Sequence, residues 1–147
     1  MLLIGIDPGV NTGVAIFKDG VLDNLITFTH WEAIDYIKDR SKHHGLVEMV
    51  IFEDSRKTSA IFQRGVSPLA MRKIARNVGM VDAYCKEIEE LCKVLNIPFG
   101  AVSPRSKGAK LNSKLFKAIT GWEKRSNQHE RDAAMVAWPY RHVKEIT

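Results

Sequence analysis

Three short apolar segments near the amino terminus predict an antiparallel meander. Residues 2–6 carry no charged side chain and lead to Asp7, which the turn sequence PGVNTG follows. A second apolar segment, 13–17, leads into the turn sequence KDG, and the next predicted strand covers 21–28. Strands joined by turns this short pair antiparallel. The first of these predicted strands leads directly to the carboxylate of Asp7.

A helix and a fourth strand are predicted next. Thr29 has a glutamate three positions later, which is the capping-box pattern, and apolar side chains at helical spacing then predict a helix over 30–44. The sequence LVEMVIF at 46–52 is mostly apolar and predicts a strand that ends on Glu53. Glu53 thus repeats the position of Asp7, as a carboxylate at the end of an apolar strand.

The second half of the chain is predicted to be mainly helical. Between residues 78 and 95, apolar side chains recur at gaps of three and four and define the buried stripe of a long helix that packs on the sheet. Gly79 lowers the stability of such a helix, and it marks either the close approach of a neighbour or an incidental glycine. A short fifth strand over 99–103 is followed by a helix that ends at Gly121.

The last predicted helix brings a third carboxylate. Asn127 and Glu130 form a second capping pair, and Pro139 is predicted to interrupt this helix. His129 and Asp132 are three positions apart and therefore lie on one face. An aspartate early in a helix also interacts favourably with the helix dipole, so Asp132 by itself does not indicate a site.

The three carboxylates become informative when they are considered together. If the first and fourth strands are adjacent and parallel, Asp7 and Glu53 meet at one edge of the sheet, and a helix that crosses this edge adds Asp132. Carboxylates this close repel one another unless cations compensate their charge. Oxygen ligands favour Mg²⁺ or Mn²⁺, and two such ions about 4 Å apart promote phosphodiester hydrolysis. The alternative is that Asp7 only caps the turn before Pro8.

Composition narrows the class of protein. The 147 residues are 45% hydrophobic and 27% charged, which is typical of one soluble globular domain, here 1–147. Cys85 and Cys92 are too far apart on a helix for a disulfide and are predicted to be core residues. The apolar amino-terminal segment is too short for a membrane span and lacks the features of a secretory signal, so we expect a cytoplasmic protein with no membrane partner.

The net charge of +5 at pH 7 favours a polyanionic partner. Residues 55–80 contain no acidic side chain, and residues 101–125 contain seven basic side chains against Glu123 alone. A solvated basic face is the simpler explanation for either segment alone, but two such segments beside a carboxylate cluster favour nucleic acid. The predicted nucleic-acid-binding residues are Arg56, Lys57, Arg64, Arg72, Lys73, Arg76, Lys107, Lys110 and Lys114.

These residues resemble a known family. The sequence IGIDPGVNTG is similar to the opening motif of the RuvC-like Holliday junction resolvases of the RNase H-like superfamily, and the resemblance extends over most of the chain. It is carried by GIDPG with Asp7, by the strand that delivers Glu53, by the basic segment SPRSKGAKLNSK and by the terminal helix HERDAAMVA.

The resemblance implies an α/β fold, an RNase H-like mixed five-stranded sheet flanked by helices, in which parallel strands follow the antiparallel meander. It also implies that Asp7, Glu53 and Asp132 bind metal, with two Mg²⁺ or Mn²⁺ ions in each active site. The family usually has a further acid or histidine one helical turn before the last aspartate, and His129 occupies that position. His129 would then bind the second metal or move a proton, whereas the alternative is a histidine that points to solvent.

The activity implied by the resemblance is that of a crossover junction endodeoxyribonuclease. Such an enzyme is a homodimer whose two active sites nick opposite strands of a four-way junction symmetrically. The helix over 78–95 is the candidate dimer interface, although its stripe is equally explained as core. A compact resolvase of this kind would suit a phage or prophage. Where the family has an aromatic residue after the second carboxylate, this chain has Arg56, and Phe62 either stacks at the junction or lies in the core.

Two other functions remain open at this point. A nuclease for flaps or replication forks would use the same fold and metal site, because neither determines the substrate. A non-catalytic module that binds branched DNA would use the basic segments equally well, but it leaves Asp7, Glu53 and Asp132 without a role.

Overall fold

The computed structural model describes residues 2–42, 46–57, 65–106 and 108–142. Its strands are β1 (Leu2–Asp7), β2 (Thr12–Lys18), β3 (Val21–Phe28), β4 (Val47–Glu53) and β5 (Phe99–Val102). Its helices are α1 (His30–Ser41), α2 (Pro68–Val94), α3 (Ser113–Thr120) and α4 (Gln128–Ala137). Short 3₁₀ turns cover Ser55–Lys57, Pro104–Ser106 and Trp138–Tyr140. None of the helices in these ranges is both long and apolar enough to cross a membrane.

The five strands form one mixed sheet in the order β3-β2-β1-β4-β5. β1 pairs antiparallel with β2 and parallel with β4, β2 pairs antiparallel with β3, and β4 pairs parallel with β5. The predicted meander followed by parallel strands is confirmed. Because β1 and β4 are adjacent and parallel, their carboxyl-terminal ends lie side by side.

Alternate residues along the strands contact helices on opposite faces of the sheet. On one face, Ile4, Ile6 and Phe52 pack with buried side chains of α1 and α2. On the other face, Leu3 and Ile51 pack with buried side chains of α4 and with the single buried side chain of α3. Successive side chains along a strand point to opposite faces of the sheet. Asp7 and Glu53 therefore belong to the face that α4 covers.

Helix α4 lies unusually close to the sheet because two glycines face it. A Cβ atom added to Gly5 would lie 2.4 Å from the carbonyl oxygen of Ala133, and one added to Gly13 would lie 1.9 Å from that of His129. No side-chain atom fits at such distances from a backbone oxygen. The helix axis is therefore held directly above β1 and β2.

The long helix begins earlier than its buried stripe. Ser67 caps α2 by accepting a hydrogen bond from the backbone N–H of Ala70, and Pro68 occupies the first turn. The described side chains of α2 that are fully buried are Cys85, Ile88 and Cys92, all in its second half. Burial raises the pKa of Cys92 to about 12, so its thiol stays protonated. The prediction that both cysteines are core residues is confirmed.

The structure does not require a glycine at position 79. A Cβ added at this position meets no atom within 4 Å, and the residue is exposed within α2. Of the two explanations considered above, the incidental glycine is the one the structure supports.

We expect Gly79→Ala to raise the free energy of unfolding by about 0.5–1 kcal/mol, because alanine is the better helix former. Urea unfolding would measure this, and a lower midpoint for the variant would contradict it.

Candidate active site

Asp7 and Glu53 end adjacent parallel strands on the same face of the sheet. The last paired residues of the β1–β4 ladder are Ile6 and Phe52, and the two carboxylates follow one position later. Both residues are half-buried. Asp7 also pairs with Gly13 of the neighbouring strand β2. Because Gly13 has no side chain, the start of α4 can lie directly against it.

Helix α4 is fixed over this edge by its first turn. The predicted capping box is confirmed, since the Asn127 side chain accepts a hydrogen bond from the Glu130 N–H and the Glu130 side chain accepts one from the Asn127 N–H. Thr27 of β3 links both residues, because its hydroxyl donates to Glu130 at 3.0 Å and accepts from the Asn127 amide at 2.6 Å. The amino terminus of α4 is thereby attached to the meander.

Asp132 projects from the second turn of α4 and is 5% exposed. The Gln128 amide donates a hydrogen bond of 2.8 Å to its Oδ1 atom, and the Lys110 ammonium lies 3.7 Å from its Oδ2 atom. Gln128 in turn accepts a hydrogen bond of 3.3 Å from Arg131. The carboxylate of Asp132 is therefore oriented by Gln128 on one side and faces the exposed ammonium of Lys110 on the other.

The three predicted ligands thus come from three adjacent elements at one edge of one face. In the ranges that the structure describes, no group of three His, Cys, Asp or Glu side chains is gathered closely enough to hold a metal ion. The donor chemistry nevertheless fits a hard divalent cation, because all three side chains are carboxylates. The Lys110 ammonium beside Asp132 already supplies one compensating positive charge there, and a bound ion would compete with it.

His129 is the second residue of α4, next to Gly13, and its side chain is exposed. It lies on the helix turn that covers the end of β1. Its predicted metal-binding or proton-transfer role stays a prediction.

The segment after Glu53 forms an ion-pair network that the sequence analysis missed. Arg56 donates to both carboxylate oxygens of Asp54, at 2.9 and 2.8 Å, and to Glu89 of α2 at 2.9 Å. Asp54 is 2% exposed, and its N–H donates to the Val102 carbonyl of β5. Ser55 adds a hydrogen bond of 2.6 Å to Asp82. The end of β4 is thereby anchored to α2 and to β5, which fixes the backbone at Glu53.

We expect Asp54→Asn to lower the free energy of unfolding by about 2 kcal/mol, because it leaves Arg56 without its bidentate partner. The loss is smaller than the roughly 3–5 kcal/mol of a fully buried pair, since the Arg56 side chain is 31% exposed. Denaturant unfolding measures the difference, with Asp35→Asn on the exposed face of α1 as the matched control. Equal midpoints for wild type and Asp54→Asn would contradict the role of this pair.

The Asp54–Arg56 ion pair also makes the expected loss of stability depend on pH. Burial raises the pKa of Asp54, but the hydrogen bonds from Arg56 outweigh burial and leave it below the ordinary value of 3.8. The stabilisation is therefore fully present above that value and is lost as the pH falls through the lower pKa of the folded state. The stability difference between wild type and Asp54→Asn should stay constant near neutral pH and shrink below about pH 4.

The predicted nucleic-acid-binding residues occupy three different environments. Arg56 is held by carboxylates, and Lys57 donates to the Ala101 carbonyl at 2.9 Å. Three basic residues of α2 line a concave surface of about 510 Å³, namely Arg72, Lys73 and Arg76. Lys110 lies beside Asp132, and Lys114 lines a second concavity at α3. Arg64 and Lys107 lie outside the described residues, as does Phe62.

Similarity to known proteins is found at the level of structure. No protein-family model matches the chain, and no curated protein sequence matches it. The RuvC protein of T. thermophilus, solved in complex with a Holliday junction substrate, has a TM-score of 0.56 and 19% identity over 94% of this chain and 90% of its own. The yeast mitochondrial Holliday junction resolvase Ydc2 has a TM-score of 0.47 and 14% identity over 95% of this chain and 77% of its own. The likeness to RuvC establishes the predicted RNase H-like fold.

Proposed function

We propose that this protein is a metal-dependent endonuclease that resolves four-way DNA junctions. The observation that carries the proposal is the placement of Asp7 and Glu53 at the ends of adjacent parallel strands, on the face covered by the helix that bears Asp132. The RuvC neighbour of the same fold is in complex with a Holliday junction substrate. The basic segments and the charge of +5 suit a DNA partner.

In this proposal Asp7, Glu53 and Asp132 hold Mg²⁺ or Mn²⁺, with two ions in each site. When bound, such ions supply an activated water and stabilise the leaving oxygen of a phosphodiester. Gln128 orients the Asp132 carboxylate through its hydrogen bond to Oδ1. His129, exposed on the first turn of α4, takes up or returns a proton at the edge of the site. Lys110 balances the carboxylates and contacts the DNA phosphate.

Resolution by two symmetric nicks requires two sites, so we propose that the protein acts as a homodimer. The long helix α2 is the candidate interface, because it leaves large apolar side chains on the surface. Leu69 and Val94, near its two ends, are each 78% exposed. The cytoplasmic location and the phage or prophage origin belong to the same proposal.

The deciding experiment is cleavage of labelled four-way, three-way, flap and linear duplex DNA by the purified protein, in Mg²⁺ and in EDTA. Paired symmetric nicks confined to the four-way junction, and only with the metal, are expected. Cleavage spread over flaps and three-way junctions would make the protein a broader branched-DNA nuclease. Binding without cleavage in Mg²⁺ and in Mn²⁺ would overturn the nuclease proposal in favour of a binding module.

A further inference from the structure

A second concave surface lies beside the candidate active site and has no role in the mechanism above. It is formed by α3 and by the loop that leads into α4, and its volume is about 510 Å³. We call it the α3–α4 cleft. It is lined by Lys114, Lys117, Trp122, Lys124, Arg125 and Ser126, together with Ser113 and Glu123.

The charge of the cleft is strongly positive. Four basic side chains face one acidic residue, Glu123. In the part of the chain that the structure describes, no carboxylate forms an ion pair with any of the four, in contrast to Arg56 and Lys93, which both pair with Glu89. Cations without a carboxylate partner on a concave surface attract polyanions and release their counterions.

Local contacts define the conformation of the loop that follows α3. Gly121 ends α3 in the left-handed conformation, with φ of 76°, and turns the chain back across the helix. The Trp122 indole N–H then donates to the Arg125 carbonyl at 3.2 Å, and Lys124 lies over the indole ring at 5.5 Å. These contacts place the basic side chains of the loop beside α3.

The cleft is also attached to the candidate active site. Arg131 of α4 donates to the Leu111 carbonyl at 2.9 Å on one side and to the Ser126 carbonyl at 2.8 Å on the other. The same guanidinium reaches Gln128, which holds Asp132. The two ends of the cleft segment are thus tied to the helix turn that carries the metal-binding carboxylate.

We propose that the α3–α4 cleft binds the phosphate backbone of a duplex DNA arm, next to the strand that is cut. Lys117, Lys124 and Arg125 each neutralise a phosphate, and the Ser113 and Ser126 hydroxyls are further donors to phosphate oxygens. These contacts give no preference for a DNA sequence, because they are made only to the sugar–phosphate backbone. The inference rests on the proposed function for the identity of the polyanion, but DNA binding in the cleft does not require cleavage.

The test is the salt dependence of DNA affinity in EDTA, where cleavage cannot interfere. A variant that carries Lys117→Gln, Lys124→Gln and Arg125→Gln should bind a junction and a plain duplex more weakly. The slope of log affinity against log salt should fall by about 0.9 for each lost phosphate contact, and thus by about 2.7 in total. The conservative variant with Lys117→Arg, Lys124→Arg and Arg125→Lys should keep the wild-type slope.

A matched control removes three lysines from the opposite face of the sheet. Lys38 of α1, Lys86 of α2 and Lys42, the residue that follows α1, are exposed. Replacing them by glutamine should leave the slope unchanged. An unchanged slope in the cleft variant, or an equal fall in the control, would overturn the proposal. So would binding of poly-glutamate as tight as that of DNA at equal ionic strength. Failure of the nuclease proposal would appear separately, as a wild-type protein that binds but does not cut.

Discussion

Asp7→Asn is expected to abolish cleavage while junction binding is retained. The substitution removes one negative charge from the edge where β1 and β4 end, and with it a ligand of the proposed metal ions. The charge stabilisation that such ions supply amounts to several kcal/mol, so cleavage should fall by at least about a thousandfold. Junction affinity in EDTA should be equal to that of wild type or slightly higher, because an acidic group near the DNA has been removed.

Asparagine is the informative substitute because it forms the same turn as aspartate. If Asp7 only capped the turn before Pro8, the variant would fold and cut like wild type. Asp23→Asn is the matched control, since Asp23 is exposed on β3 and loses the same charge. Rates are measured on a labelled four-way junction with saturating Mg²⁺. Equal rates for Asp7→Asn and Asp23→Asn would defeat the assignment of Asp7 as a ligand.

Gly13→Ala is expected to cause the largest loss of stability among single substitutions at the site. The new Cβ would lie 1.9 Å from the His129 carbonyl oxygen and 3.0 Å from the Glu130 nitrogen, so the start of α4 must move away from β2. Both contacts are to backbone atoms, which cannot rotate aside as a side chain does. Overpacking of this kind costs about 3 kcal/mol, equivalent to a fall in Tm of roughly 10 °C.

The displacement should also affect the chemistry. Gly13 pairs with Asp7, and α4 carries Asp132, so moving the helix separates two of the three proposed ligands. The Mg²⁺ concentration needed for half-maximal cleavage should therefore rise in any Gly13→Ala protein that folds. Thermal unfolding and an Mg²⁺ titration measure the two effects, with Gly79→Ala as the control, since a Cβ there meets nothing. A Tm equal to that of wild type would show that α4 does not pack as described.

Local features of the chain were predictable from the sequence. The strands of the meander, the two capping boxes and the interruption of the last helix at Pro139 are confirmed. Each depends on residues within a few positions of one another, so propensity and periodicity are sufficient to identify it. The sequence also identified the candidate carboxylates, because a charged residue at the end of an apolar strand is visible without knowing the partner strand.

The tertiary structure decided which of these residues lie on the same face of the sheet. The face on which Asp7 and Glu53 lie follows from strand register and from the position of α4, which no local pattern contains. The pairing of Arg56 with Asp54 was within reach of the sequence, since the two are two residues apart, but its third partner, Glu89, is 33 positions away. A basic segment gives no sign of such a distant partner.

The same distinction holds for the glycines and for the α3–α4 cleft. The sequence does not distinguish Gly13 from Gly79, and only the packing of α4 shows that the first cannot carry a side chain whereas the second can. Lys117, Lys124 and Arg125 are ordinary surface cations in the sequence, and they form one concave surface only because Gly121 reverses the chain and Arg131 ties its ends to α4. Residue chemistry and local structure are thus determined by the sequence within each segment, whereas their convergence into a site depends on contacts between distant segments, which only the folded chain makes.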